Sequence, residues 1–261
     1  MSEFRLTTVE EFEAATARLL ETGAKVGADS WQARVKNQTP HCKFGEEGIC
    51  CRICTMGPCR ITKKAPRGIC GCDVHGIVGR NYLKFTAGGA ATHSDHGREI
   101  CHTLYASAAD GCYKVKDPDK LIRIAKEWGI ETEGKDIYDL AHEVAYEGLM
   151  EYGKPFGTQR FLKRAPESQQ KLWEENELAP RAIDREVSCS LHMAHMGCSS
   201  KPEALVKQSI RAGLSDGWGG SMMGTEFSDV LFGTPKPVET EANLGVLVEE
   251  NVNIVVHGHD P

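Results

Sequence analysis

The chain has 261 residues, 40% of them hydrophobic, a formal net charge of −6 and 11 cysteines. An acidic balance excludes nucleic-acid binding by bulk electrostatics, and no apolar run approaches the 18 or so residues a membrane span needs. The opening MSEFRLTTVEEFEAA has no apolar stretch of the secretory kind, so the expectation is a soluble, cytoplasmic protein whose thiols stay reduced, where clustered cysteines point to metal rather than to disulfides.

In chain order, helical periodicity dominates. Thr8-x-x-Glu11 reads as a capping box that opens an amphipathic helix through Val9, Phe12, Leu19 and Leu20, with Gly23 as its stop. Asp117-Pro118 starts a second helix, with Leu121, Ile124, Ala125 and Trp128 on one face and Gly129 at its end. Ile137, Leu140, Ala141, Val144 and Ala145 define a third, and residues 202–212 a fourth. Strand signals are scarce before residue 245. "FGTPKPVETEANLG" then reads as a linker, and Ile254-Val255-Val256 as a short buried strand. The fold expectation is mainly α: a helical domain over 1–235 that carries iron–sulfur clusters, then, over 236–261, the first strand of a Rossmann-like α/β domain. A lone strand has neither partner nor cover, which suggests a piece of a longer protein.

"CKFGEEGICCRICTMGPCRITKKAPRGIC" holds six of the 11 cysteines. Cys51-x2-Cys54-x4-Cys59-x10-Cys70 supplies four thiolates, the donor set of a 4Fe–4S cluster. Zinc is the rival, because four-cysteine zinc sites also use C-x2-C pairs, but a second such pair is missing and Cys70-x-Cys72 is a poor knuckle. Arg52, Arg60, Lys63, Lys64 and Arg67 lie between Cys51 and Cys70 with no acid among them. These cations would offset a negative cluster and offer a patch to an acidic electron carrier. Cys50 cannot comfortably share the cluster of Cys51, because adjacent side chains diverge. Cys42 and Cys50 are therefore either half the ligands of a second cluster, completed by a twin subunit on a two-fold axis, or two free buried thiols; spacing does not choose.

"ATHSDHGREICHTL" sets His93, His96 and His102 at steps of three, with Glu99 on the missing rung. Steps of three drift by about 60° each, so from 93 to 102 the track winds half-way round a helix and climbs roughly 13.5 Å. Such a track suits a proton relay better than a convergent metal site; four polar residues on a wetted helix face is the plainer alternative. "SCSLHMAHMGCSS" repeats the step at Cys189, His192, His195 and Cys198, and reads as Cys and Met core packing with incidental histidines spread round a helix. His142 falls opposite the apolar face of its helix and is expected to be exposed. His257-Gly258-His259 follows the β-branched run, where α/β sheets place ligands and imidazole can bind iron or nickel.

"CKFGEEGICCRICTMGPCRI", "THSDHGREICHTL", "LFGTPKPVETEANLGVL" and "NIVVHGHDP" together resemble the amino-terminal part of the anaerobic nickel–iron–sulfur carbon monoxide dehydrogenases, in the family's order and over nearly the whole chain. The resemblance implies that Cys51, Cys54, Cys59 and Cys70 hold a B-type 4Fe–4S cluster. Cys42 and Cys50 would hold half of a D-type cluster, 4Fe–4S or 2Fe–2S, that bridges a homodimer. His259 would ligate an iron of the Ni–Fe–S C-type cluster, only partly liganded by this chain. His93 would take an acid–base role beside that cluster, with His96 and His102 on the proton path; Glu99 departs from members with histidine there. Cys72, Cys101, Cys112, Cys189 and Cys198 match no ligand. The implied activity is reversible oxidation of CO with water to CO2, two protons and two electrons. The electrons would pass to a ferredoxin-type acceptor, and an acetyl-CoA synthase subunit is a further possible partner. Such enzymes are more than twice this length, so a chain of this length is expected to carry B- and D-type clusters without oxidising CO. A stand-alone electron-transfer module and a hybrid-cluster-type oxidoreductase are the alternative readings.

Overall fold

The computed structural model of the chain describes residues 9–236, with 197 excepted. The capping Thr8, the predicted strand at 254–256 and both His257 and His259 lie outside the described residues. The chain divides into two compact units, Met1–Gly48 and Ile49–Pro261.

The first unit carries α1 (Val9–Lys25), α2 (Trp31–Asn37) and α3 (Lys43–Glu46). Helix α1 runs two residues past Gly23, the stop read from the sequence, because a helix carrying only one glycine tolerates it at a cost of about 1 kcal/mol. Ser30 caps α2 by accepting from Ala33 N–H at 3.2 Å.

The second unit begins with a minimal antiparallel hairpin, β1 (Cys50–Cys51) and β2 (Cys59–Arg60), in which Cys51 pairs with Cys59. Among the described residues, helices follow it: α4 (Val74–Asp110), α5 (Pro118–Glu127), α6 (Ile137–Glu151), a 3₁₀ turn at Arg160–Arg164, α7 (Glu167–Glu175), α8 (Ile183–Ala194), α9 (Pro202–Ser215), a π-helical turn at Asp216–Ser221 and α10 (Met222–Phe232). Three of the four predicted helices fall in this unit, as α5, α6 and α9. Helix α5 starts at the Asp117 cap, which accepts from Lys120 N–H at 2.9 Å, and gives way to Gly129 at φ 73°.

Helix α4 is the axis. Its 37 residues span about 55 Å at 1.5 Å per residue. Asp73 caps it by accepting from Gly76 N–H, and Gly111 at φ 71° ends it. Its buried positions Leu83, Ala87, Ala90, Ser94, Gly97, Cys101 and Leu104 alternate by three and four residues, and α6, α8, α9, α10 and the π turn pack along it. Most of these side chains are small, so neighbouring backbones come close. That is also why the stripe is faint in the sequence: Ser94 and Gly97 do not read as core.

The main core joins Cys101 and Leu104 of α4 to Leu121, Ile124 and Ala125 of α5, Leu140, Ala141, Val144 and Ala145 of α6, and Phe227, Val230 and Leu231 of α10. Lys120, buried at the edge of this core, pairs with both Glu226 and Asp229. His142 corrects one expectation. It is half-buried, with its ring centroid 4.1 Å from that of Tyr105, because α4 crosses that side of α6 as well. The 189–198 stretch corrects another: α8 ends at Ala194, so Cys198 is exposed beyond the helix rather than on it.

Candidate functional site

Two separate constellations carry chemistry in the second unit. The first is built by the hairpin loop. Cys51, Cys54, Cys59 and Cys70 line one pocket with about 350 Å³ of empty space, its open mouth included. Strand alternation turns Cys51 inward, 9% exposed, while Cys50 is half-buried and is not among the lining residues. The divergence of the two adjacent thiols is thus a property of β1. Among the described residues no three His, Cys, Asp or Glu side chains converge on a point suited to a metal ion, and Cys70 is exposed at the pocket's rim.

The pocket supplies more than thiols. Ile69 N–H points to Cys59 Sγ at 3.4 Å. Arg80, on α4, donates from Nη1 to Cys70 Sγ at 3.3 Å and from Nε to the carbonyl of Ser199 at 2.7 Å. Arg80 is only 2% exposed. Met196 closes one side, and a fifth thiol, Cys72, lies in the same wall, 1% exposed. Burial pushes the thiol pKa of both Cys51 and Cys72 up, and the charge of Arg80 acts against that rise in each. Donors also face two of the thiols, the Ile69 N–H at Cys59 and the buried Arg80 guanidinium at Cys70. Arg52, Arg60, Lys63, Lys64 and Arg67 are all exposed round the loop.

The sequence reading missed Arg80 and Met196, and it left Cys72 without a place in the pocket. A signal for Arg80 existed: it stands at the middle of the spacing Ile77–Arg80–Leu83, in register with the buried stripe, where a long cation has no place unless an anion meets it.

The second constellation lies further along α4. His93 Nδ1 is 2.6 Å from Asp216 Oδ1 and 3.2 Å from Ser221 Oγ. Asp216 and Ser221 open and close the π turn, and Gly219 and Gly220 let that turn approach. A Cβ on Gly220 would sit 2.8 Å from the Cβ of His93; one on Gly97 would sit 2.9 Å from the carbonyl oxygen of Gly220 and 2.4 Å from the Tyr152 hydroxyl. A carboxylate oxygen is an acceptor, so in the tautomer with its proton on Nδ1 His93 donates to Asp216. His96, Glu99 and His102 follow on the same helix and are exposed. Cys42 is exposed at the start of α3. His192 and His195 are exposed, and Cys189 packs half-buried, 3.9 Å from Met193 Sδ.

A family model described as the Prismane/CO dehydrogenase family matches residues 49–261. The chain belongs to that family. Carbon monoxide dehydrogenase 1 of Methanosarcina mazei is 42% identical over 257 residues, which make up 97% of this chain and 41% of that protein. The carbon monoxide dehydrogenase/acetyl-CoA synthase subunit beta of Moorella thermoacetica is 40% identical over 86% of this chain and 34% of its own length. A crystal structure titled as Ni-free carbon monoxide dehydrogenase from Thermococcus sp. AM4 superposes with a TM-score of 0.84 at 46% identity, covering 94% of this chain and 40% of that one. The chain thus spans between about a third and two fifths of the length of these relatives. No helix among the described residues is long and apolar enough to cross a membrane.

Proposed function

We propose that this chain acts in the reversible oxidation of carbon monoxide with water to carbon dioxide, two protons and two electrons, as the amino-terminal portion of a nickel-dependent carbon monoxide dehydrogenase. In this reading Cys51, Cys54, Cys59 and Cys70 hold a 4Fe–4S cluster that supplies one-electron transfer, and Cys42 and Cys50 hold half of a second cluster on the axis of a homodimer. The observation that carries the reading is Arg80. A guanidinium at 2% exposure that makes no ion pair to a carboxylate among the described residues, yet points at a thiol sulfur, needs an anion in the pocket it faces. Four thiolates round an iron–sulfur core are such an anion; four neutral thiols are not.

His259 is proposed as a ligand to a nickel–iron–sulfur centre which, when bound, supplies Lewis acidity and the two-electron chemistry. His93 is the proton acceptor. Its Nδ1–H is held by Asp216, so Nε2 is the nitrogen that takes a proton from the reacting water, and the resulting imidazolium is stabilised by the carboxylate behind it. His96, Glu99 and His102 continue the path along α4, with a carboxylate standing in for one imidazole rung. The exposed cations round the thiol loop suit an acidic ferredoxin-type acceptor, and an acetyl-CoA synthase subunit is a further candidate partner.

Anaerobic purification with iron, sulfide and nickel analysis and electron paramagnetic resonance of the dithionite-reduced protein test the cluster assignment, and CO-dependent viologen reduction by the full-length enzyme that carries this portion tests the activity. About four irons per chain in a cluster lost from Cys54→Ala supports the thiol assignment. Colourless, iron-free or zinc-loaded protein overturns it.

A further inference from the structure

We propose that Arg80 is the residue that sets the reduction potential of the cluster held by the thiol pocket. Its fixed positive charge raises that potential above what the four thiolates alone would give. The inference rests on the cluster assignment above and goes beyond it by naming the residue that tunes electron transfer.

The geometry points to charge rather than to packing. Arg80 could have anchored the loop at Ser199 with a neutral donor, because that bond uses Nε alone, at 2.7 Å. Nη1 is instead spent on Cys70 Sγ at 3.3 Å. The exposed cations of the loop, Arg52, Lys63 and Lys64, are screened by water and act weakly at a distance. Arg80 is buried, so its charge acts at close range in a medium of lower dielectric response. When a 4Fe–4S core with four thiolate ligands takes up one electron, its net charge goes from two minus to three minus, with no bond made or broken. A nearby buried cation stabilises the more negative state more, and so makes reduction easier. A donor to a ligating sulfur acts in the same direction, because it withdraws charge from the thiolate that must bear the added electron.

Arg80→Lys and Arg80→Gln separate the two contributions. Both lose the Nε bond to Ser199 and both can place an N–H near the pocket, but only lysine keeps the charge. Anaerobic redox titration of the purified protein, reduced stepwise with dithionite in the presence of viologen mediators and followed by electron paramagnetic resonance, reads the midpoint potential. The expected order is wild type highest, Arg80→Lys close below it and Arg80→Gln clearly lowest. Equal potentials for the lysine and glutamine variants, in proteins that hold their full iron, overturn the role of Arg80 and leave the cluster assignment standing. Absence of any four-iron cluster in the unmutated protein overturns the cluster assignment itself, and this inference with it. A glutamine variant that fails to assemble the cluster while the lysine variant succeeds supports the need for the charge. If neither assembles, wild-type protein labelled with 15N-arginine decides: a weak 15N coupling to the reduced cluster supports the contact, and its absence overturns it.

Discussion

Asp216 Oδ1 lies 2.6 Å from Nδ1 of His93, although 123 residues separate them in the chain. The contact joins the middle of the longest helix to the first residue of a π turn. The pairing has the logic of an orienting carboxylate behind a catalytic imidazole: one ring nitrogen is anchored so that the other is offered in a fixed tautomer. Asp216→Asn is therefore expected to slow CO oxidation by the holoenzyme by about 10–100-fold, the usual cost of losing an outer-shell partner. His93→Ala should cost more, about 10²–10⁴-fold, as loss of a general base does. Viologen reduction under CO measures both. The 15N shifts of the His93 ring supply the independent check, since the asparagine variant should lose the fixed Nδ1–H tautomer. An unaltered tautomer and rate would remove Asp216 from the mechanism.

Glycine makes that contact possible. The π turn lies against α4 at Gly97, where a methyl group would sit 2.9 Å from the Gly220 carbonyl oxygen and 2.4 Å from the Tyr152 hydroxyl. The neighbours are a backbone atom and a buried ring, and neither yields cheaply. Gly97→Ala is expected to cost about 1–3 kcal/mol, the range for forcing extra atoms into a packed contact, in spite of alanine's better helix propensity. Urea denaturation measures this. A gain in stability would mean that the turn is not held where the structure has it.

How far the sequence discloses this arrangement depends on the distance over which each signal acts. Helices α5 and α6 are legible because their caps and their apolar repeats are local: Asp117-Pro118, then Leu121, Ile124 and Ala125, all three fully buried. The four thiols of one pocket are legible because they come from one 20-residue stretch. The partners of His93 are not, since Asp216 and Ser221 are brought in by tertiary packing, and a run such as DGWGGS carries no periodic sign of a π turn. Helix α4 hid its extent for a related reason. Its buried face is mostly alanine, serine and glycine, which no apolar periodicity marks. Arg80 sits between, visible as a cation on a core stripe, with a meaning that only its contact with Cys70 gives.

Glu186 is fully buried and accepts from Arg181 Nε at 2.7 Å, Arg181 Nη2 at 2.9 Å and Gln208 Nε2 at 2.9 Å. Burial alone would push its carboxyl pKa up, but the hydrogen bonds from Arg181 and Gln208 outweigh burial and hold it below the usual glutamate range. A carboxylate depressed in the folded state adds stability above its unfolded pKa of about 4.3, and that stability is lost as pH falls through the folded value. Glu186→Gln is expected to cost about 2–3 kcal/mol at pH 7, less than a fully buried pair, because Arg181 stays 33% exposed. The gap in melting temperature between wild type and variant should narrow steadily as pH drops from about 5 toward 3. A gap independent of pH would show that packing, not ionisation, is what the variant lost.

Iron removal is expected to loosen one segment and leave the rest. Residues 49–72 are held by a hairpin of two residues per strand and by a satellite core of Cys51, Cys72 and Ile77, well short of the three strands or larger apolar face an independent sheet needs. A cluster bound to Cys51, Cys54, Cys59 and Cys70 would cross-link this segment at four points, and loss of those links frees its backbone. Arg60, Lys63, Lys64 and Arg67 are exposed within it and offer cleavage sites. Protein stripped of iron by ferricyanide and chelator should be cut there by trypsin at least tenfold faster than the iron-loaded form, while the fragment from α4 onward, with its own core of Leu121, Phe227 and their neighbours, persists. Helical circular dichroism should change little. Equal cleavage rates with and without iron would mean that the loop is ordered by the chain alone, and the four thiols would then lose their claim to a structural cluster.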